Sequence, residues 1–413
     1  MDSIIERCCG LDVHQASVVA CLLVKAAGGR RRKEVQSFGT TTAELTRLRE
    51  WLLAEGCTHV GMESTGVYWM PVYAVLEGSF ALIVGNAAHI KNVPGRKTDV
   101  KDAEWIADLI QHGLIQRSFV PPKWQRDLRD LVRYRRKLVQ GQAGERNRLL
   151  KILEIANIKL ASVATDVFGK SGREMIRALS AGDLTPLEMA RFARGRLKSK
   201  QDALALALDG RIEPHQRALL KIQLDRVERT EDDIAAVDKL IQEALAPYQD
   251  TVDRLLAVPG LDWAGIISVI AELGLDMSVF PSAKQAAAWA GVCPGNAESA
   301  GKNLGARKRR GNVHLTTTLV QAATGAGRTK GSYLKSTFYR LRARRGTKRA
   351  QMAVAHQLLN IIYVMLRDGV PYRDLGEAYL DQQRAEATKN KLLKRLNALG
   401  YHVEITAMQA QVS

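Results

Sequence analysis

Ile4-Ile5-Glu6-Arg7-Cys8-Cys9-Gly10-Leu11-Asp12-Val13 runs, through the turn His14-Gln15-Ala16, into Ser17-Val18-Val19-Ala20-Cys21-Leu22-Leu23-Val24. Two apolar runs joined by so short a turn read as neighbouring antiparallel strands. A basic hairpin tip follows, Gly28-Gly29-Arg30-Arg31-Arg32-Lys33, and Glu34–Phe38 is expected as a third strand. Thr42–Glu55 places Leu45, Leu48, Leu52 and Leu53 on one side at helical spacing. His59–Glu63 reads as a short strand, Gly66–Leu76 as a helix and Phe80–Val84 as a buried strand. Thr98–His112 closes the series as a helix with the apolar stripe Ala103, Ile106, Ala107 and Ile110.

Three antiparallel strands followed by alternating helices and strands is the element order of a ribonuclease-H-like α/β domain, expected over residues 1–120. Pro121-Pro122 marks its end. The remainder is expected to be all-α: a helical, coiled-coil region at 121–250, a C-terminal domain at 251–350, and a helical extension and tail at 351–413. Trp124–Leu160 is long, basic and rich in Leu. In Pro214–Ala246, Leu220, Val227, Ile234 and Ile241 recur every seven residues, the spacing of a coiled coil or a long hairpin arm. The intervening Leu224, Glu231, Asp238 and Leu245 are half polar, which predicts a weak or asymmetric seam. Ser162–Asp209 reads as short helices. Leu255–Gly274 sets Val258-Pro259-Gly260 between two apolar helical stretches and resembles a helix-hairpin-helix, whose turn offers backbone N–H groups to a phosphate. Met352–Leu366 is an apolar helix, and the tail from Ala385 is mixed and basic.

A chain of 413 residues exceeds one ordinary domain, and 46% hydrophobic content excludes a disordered one. A net charge of +18 calls for a polyanionic partner, either nucleic acid or an anionic membrane surface. No apolar run is long enough to span a bilayer and no signal peptide is read, so the expected location is cytoplasmic, with no membrane partner. Cys8, Cys9, Cys21, Cys57 and Cys293 form no CxxC pair and sit mostly in apolar runs, as reduced buried thiols do. The histidines are scattered, which argues against a zinc site.

Four carboxylates stand out by position. Asp12 lies in the first strand, Glu63 ends the fourth, and Asp99 and Asp102 begin the last helix three residues apart, on one face. The first and fourth strands of such a sheet are neighbours, so the four acids can converge at one edge. Phosphodiester chemistry needs such a set, because hard oxygen ligands hold Mg²⁺ and two ions can stabilise the attacking and leaving oxygens. Taken singly, each has a structural reading: Asp12 in a turn, Asp99 at a helix N-terminus, Glu63 capping the next helix. Glu104 and Asp108 read as solvated surface charges, with Glu104 a possible neighbour of the acid set.

Residues 300–350 hold fourteen Lys or Arg and no Asp or Glu, with Tyr333, Phe338 and Tyr339 interleaved. Self-repulsion in such a stretch points to a nucleic acid, DNA or RNA. Ser299 lies in Pro294-Gly295-Asn296-Ala297-Glu298-Ser299-Ala300-Gly301-Lys302, whose small residues allow close approach to a phosphate. By composition alone it is a loop serine with no role, and no His–Asp partner for a triad is visible.

The motifs together resemble the insertion-sequence one-ten family of transposases, bridge-RNA-guided DEDD recombinases. The resemblance rests on Gly10-Leu11-Asp12-Val13-His14, Met62-Glu63-Ser64-Thr65-Gly66-Val67-Tyr68-Trp69, and Pro94-Gly95-Arg96-Lys97-Thr98-Asp99-Val100-Lys101-Asp102-Ala103. In the C-terminal half it rests on Trp289-Ala290-Gly291-Val292-Cys293-Pro294-Gly295-Asn296, Glu298-Ser299-Ala300-Gly301-Lys302 and Arg310-Gly311-Asn312. It covers most of residues 1–375 and carries nothing onto the tail. It implies a RuvC-like N-terminal domain whose Asp12, Glu63, Asp99 and Asp102 bind Mg²⁺, as a two-ion site. It implies a serine nucleophile, Ser299, that bonds covalently to DNA during strand exchange. It also implies a homo-oligomer, dimer or tetramer, in which different subunits complete each active site, and a structured guide RNA that pairs with donor and target DNA. Lys302, Arg307, Lys308, Arg309, Arg310, Arg328 and Lys330, with Arg133, Arg135, Arg136 and Lys137, are the expected nucleic-acid contacts. Two other readings compete: a junction-resolving nuclease that uses water and leaves Ser299 idle, and a non-catalytic nucleic-acid-binding protein.

Overall fold

The computed structural model describes residues 4–25, 31–94, 101–293, 297–299, 302–305, 311–383 and 385–403. The chain divides into two compact units, Met1–Pro121 and Pro122–Ser413. The segments set out above as 121–250, 251–350 and 351–413 all fall within the second.

The first unit is built on a five-stranded sheet: β1 (Arg7–Val13), β2 (Ser17–Lys25), β3 (Arg31–Gly39), β4 (His59–Glu63) and β5 (Ala81–Gly85), in the order β3-β2-β1-β4-β5. β1, β2 and β3 pair antiparallel, and β4 joins β1 and β5 in parallel. Alternate side chains point to opposite faces of a strand, so one apolar sequence serves two cores. Cys9, Leu11, Ala20, Leu22, Val60 and Met62 pack on α1 (Thr42–Ala54) and α2 (Trp69–Leu76). Cys8, Cys21, Leu23 and Ile83 pack on the other side, against Ala103, Ile106, Ala107 and Ile110. These four are the expected stripe of the closing helix. A six-residue helix, α3 (Ala87–Asn92), precedes it and went unread because it is too short to show a period; Asn86 caps it by accepting from the N–H groups of Ala88 and His89.

The closing helix, α4, spans Asp102–Gln111 rather than beginning at Thr98. Lys101 is extended, at φ −62° and ψ 145°, so α4 does not run back through it; the shared helix face expected for Asp99 and Asp102 turns on Asp99, which lies outside the described residues. Arg31, Arg32 and Lys33 also belong to strand β3 instead of a hairpin tip. Their charges alternate with the pleat. Arg31 pairs with Asp108 and Lys33 Nζ lies 2.8 Å from Glu104 Oε1, both on α4, while Arg32 pairs with Glu55 behind α1. Glu104 and Asp108 therefore hold the edge strand instead of standing solvated, and charges on an edge also discourage further strand pairing.

The second unit is helical. Its spine is an antiparallel pair of long helices, Lys123–Ile155 and Pro214–Leu245. At one end Leu149 and Leu153 meet Leu220 and Leu224 in a core completed by short helices between them, including Met175, Ile176, Leu179 and Leu204. At the other, Leu128 and Val132 meet Val237, Ile241 and Leu245 in a core shared with the helices from residue 249 onward. The polar seam positions are paired across the helices. Arg135 reaches Asp238 at 2.5 Å, and Glu231 accepts from Gln142, Arg146 and Arg173. Hydrogen bonds from Arg173 lead the causes that hold the Glu231 carboxyl below its ordinary value. Paired charges within an apolar seam fix register more than they add stability.

The most buried charge of this unit is Glu272, 1% exposed, on the helix Trp263–Leu273. Arg133 holds it with two bonds, Nε to Oε1 at 2.7 Å and Nη2 to Oε2 at 2.9 Å. Asn312 Nδ2 donates to Oε2 at 2.6 Å, and Arg129 Nε lies 3.3 Å away. Arg129 also satisfies the carbonyls of Ala271 and Glu272 at the helix end, with Gln125 on Ala271. Burial pushes the Glu272 carboxyl up, but the bonds from Arg133 and Asn312 and the two guanidinium charges outweigh it and leave it below its ordinary value.

Two outcomes follow from this packing. A Cβ at Gly10 would stand 2.2 Å from the Ala103 carbonyl oxygen and 2.3 Å from the Ala107 nitrogen, both backbone atoms that cannot swing aside. Gly10→Ala is expected to lift α4 from β1 and cost about 1–3 kcal/mol, seen as faster hydrogen exchange in α4 amides. Glu272 stabilises the fold above the unfolded carboxylate pKa, and its contribution is lost as pH falls through the lowered folded value. Thermal unfolding of the second unit, followed between about pH 5 and about pH 3, is expected to show this loss in the wild type and to lack it in Glu272→Gln. That variant is also expected to be less stable near neutrality by about 3–5 kcal/mol, since it leaves guanidinium groups without their counter-charge.

Candidate active site

β1 and β4 lie side by side and parallel, paired as far as Leu11 with Met62. Asp12 and Glu63 are the next residue of each, level with one another where the strands end. Gly10 and Gly61 both face α4, and the two-residue period puts Asp12 and Glu63 on that same face. α4 enters at Asp102, one residue before the Ala103 carbonyl that rests on Gly10. Three of the four expected acids thus belong to one edge. Asp12 is paired within β1, opposite Val19, and its Oδ2 is 3.2 Å from His14 Nε2. Glu63 accepts from the Thr65 hydroxyl and does not cap α2, whose first turn has no side-chain cap. Asp102 is exposed at the first turn of α4. Asp99 lies outside the described residues. Among the described residues, no three carboxylate, histidine or cysteine groups stand close enough to form a metal-holding set. Burial pushes the thiols of Cys8 and Cys57 up to about 12 and that of Cys21 to about 11, so none is a ready thiolate.

Ser299 stands on a small hairpin of the second unit. β6 (Ala297–Ser299) and β7 (Lys302–Gly305) pair antiparallel, with Ser299 opposite Lys302 at the closing end. Arg307, Lys308, Arg309 and Arg310 lie outside the described residues. The chain on either side of the hairpin meets at one base. Gly311 approaches Gly291 so closely that a Cβ would stand 2.3 Å from the Gly291 nitrogen. The N–H of Asn312 donates to the Trp289 carbonyl at 3.1 Å, and Thr316 Oγ1 donates to the Ala290 carbonyl at 2.5 Å. Sequence reasoning left this role of Gly311, Asn312 and Glu272 unread. The Arg310-Gly311-Asn312 motif carried a signal, but a lone buried acid in an apolar helix carries none about its partners.

The basic residues fall into distinct settings. A groove of about 600 Å³ runs between the helices Lys123–Ile155, Trp263–Leu273 and Val313–Ala326, lined by Arg135, Arg136, Gly260, Gly265 and Arg328. Gly260, at φ +85°, makes the turn between Gln249–Leu256 and Trp263–Leu273 and rests on the Ala322 carbonyl, where a Cβ would stand 2.1 Å away. Arg135 lines the groove while bonded to Asp238, Arg136 donates to the His314 carbonyl at 3.4 Å, and Arg133 is taken up by Glu272. Arg328, Lys330 and Lys137 are exposed. The acid-free stretch finds acids farther along the chain: Lys335 lies 3.4 Å from Glu377, and Arg340 2.5 Å from Asp381. Arg342 covers the Tyr339 ring at 5.3 Å. Arg344, Arg345, Lys348 and Arg349 are exposed and have no acidic partner among the described residues.

Comparison with protein families gives two matches. A model of DEDD transposases of the IS110 type, described as Transposase, matches residues 9–158, and a second, described as Transposase IS116/IS110/IS902 family, matches residues 252–340. The first span holds Asp12, Glu63, Asp99 and Asp102, and the second holds Glu272, Ser299 and Asn312. Comparison with curated proteins gives no match. Among the described residues no helix is long and apolar enough to cross a membrane. The acid-bearing sheet edge and the serine hairpin each lie within a matched span, and together the spans cover more than half of the chain: it belongs to the IS110 family of transposases and is a DNA transposase/recombinase enzyme.

Proposed function

We propose that this transposase cuts and rejoins DNA by metal-dependent, RNA-guided strand exchange through a phosphoserine link. The observation that carries the reading is the register of Asp12 with Glu63 on parallel neighbours, beside the entry of α4. The strand order β3-β2-β1-β4-β5 suits a ribonuclease-H-like, RuvC-like domain. Asp12, Glu63 and Asp102 stand at one sheet edge, and with Asp99 they offer only hard oxygen donors, the donor chemistry that Mg²⁺ takes; these residues would hold it. When bound, the ion supplies charge stabilisation to the phosphate in flight.

The chain's own residues do the rest. Ser299 Oγ attacks the scissile phosphorus, one strand P–O bond breaks, and the leaving DNA hydroxyl takes up a proton as the serine gives up its own. The phosphoester formed keeps the bond energy, so rejoining is the same exchange run backward by a DNA hydroxyl. The groove with Arg136 and Arg328, and the exposed Arg344, Arg345, Lys348 and Arg349, suit phosphate backbones of DNA and of a guide RNA. The two-helix arm, with its partly polar seam, suits the joining of subunits into a dimer or tetramer. Lys302, Arg307, Lys308, Arg309 and Arg310 flank Ser299 in sequence and would neutralise the same phosphates; Lys330 and Arg135 would extend that surface.

Purified protein incubated with Mg²⁺, its element-derived RNA and matching donor and target DNA is expected to give a protein–DNA adduct on a denaturing gel. Ser299→Ala should abolish the adduct, and Asp12→Ala should slow it by on the order of 100-fold or more. Cleavage without an adduct, retained in Ser299→Ala, would mark a nuclease that uses water. Binding with neither cleavage nor adduct would mark an architectural protein.

A further inference from the structure

Asn312 makes two opposite hydrogen bonds with one side chain. Its Oδ1 accepts from the Leu315 N–H at 3.0 Å and caps the helix Val313–Ala326, while its Nδ2 donates to Glu272 Oε2 at 2.6 Å. The amide does this with two atoms, Oδ1 at the cap and Nδ2 towards Glu272. Serine would cap through its single oxygen and lack the separate Nδ2 arm, and aspartate would set a second carboxylate against the first. Asn312 is also where the chain returns from the Ser299 hairpin, and its N–H closes the base on Trp289. Glu272 carries that base onto Arg129 and Arg133 of the long helix. Arg135 and Arg136, which line the groove, lie on the same helix two and three residues after Arg133.

We infer that Glu272 and Asn312 are positioning residues for Ser299: they fix the base from which its hairpin leaves the helical core. The inference rests on Ser299 as the nucleophile. A buried carboxylate bound by a bidentate arginine, a second arginine and an amide has essentially one geometry. The chain enters and leaves the hairpin beside this base, where Gly291 and Gly311 are in close contact. A displacement of about 1 Å at a reacting group can cost about 100-fold in rate.

Four variants test this, each scored for adduct formation at saturating DNA and RNA, for DNA affinity and for thermal unfolding. Asn312→Ser keeps a helix-capping oxygen and removes the Nδ2 arm that reaches Glu272. Its adduct rate is expected to fall about 10- to 100-fold, with the chain folded at the assay temperature and DNA affinity within about twofold of wild type. Asn312→Asp and Glu272→Gln should each fall further. The double variant Glu272→Gln/Asn312→Asp exchanges donor and acceptor, keeps one negative charge before Arg129 and Arg133, and should recover the rate above both single variants. If the wild type forms no adduct, the nucleophile reading fails and this inference with it. If the wild type forms the adduct and Asn312→Ser matches its rate, the positioning role is overturned while Ser299 stands. Losses that follow melting temperature alone, with no recovery in the double variant, also overturn it.

Discussion

A helix can lie directly on a strand only where the strand has no side chain in the way. At Gly10 the backbone of α4 comes nearer than any Cβ would allow, and at Gly61 the Ile110 side chain fills the space a Cβ would take. That contact fixes which turn of α4 stands over β1, and so where Asp102 enters. It also fixes which face of the sheet the acids share, because Gly10 and Asp12, like Gly61 and Glu63, sit two residues apart on their strands. The glycines and the carboxylates are therefore one device. The small residue seats the helix, and the acid beyond it marks the open end of the sheet.

The second unit is organised around charge rather than close approach. Its long helices meet through apolar ends and a polar middle, where Glu231 and Asp238 each find arginines. Glu272 extends the principle into the core, where four donor side chains converge on one carboxylate and its neighbouring carbonyls. Removing an ion from water is costly, and such a site repays the cost only when every lone pair has a partner. What it adds is a single arrangement of the long helix, the helix Trp263–Leu273 and the base of the serine hairpin.

The same logic explains how a basic protein tolerates its own charge. The first unit disposes of Arg31, Arg32 and Lys33 by alternating them between helix partners on both faces of the sheet. The stretch from residue 300 to 350 borrows Glu377 and Asp381 from beyond its end. Arg328, Lys330 and the arginines and lysines from Arg344 to Arg349 are exposed, an excess that a polyanion would neutralise.

The strand and helix order of residues 1–120 was legible in the sequence, because period-two and period-3.6 patterns are local and each apolar run had one face to bury. His59–Glu63 and the stripe Ala103, Ile106, Ala107 and Ile110 are cases in point. The long helices were legible for the same reason, as was the prominence of Asp12, Glu63 and Asp102, which rests on where elements end. Local pattern misplaced the start of α4, because Lys101 carries no helix-breaking residue, and it missed α3. Only the tertiary structure decided that Arg133 and Arg135 are held by acids of other helices, that Glu104 and Asp108 serve an edge strand, and that Asn312 joins the serine hairpin to Glu272. Those pairings span from 40 to 139 residues of chain. A sequence states which charges exist; which of them meet is set by packing between elements far apart along it.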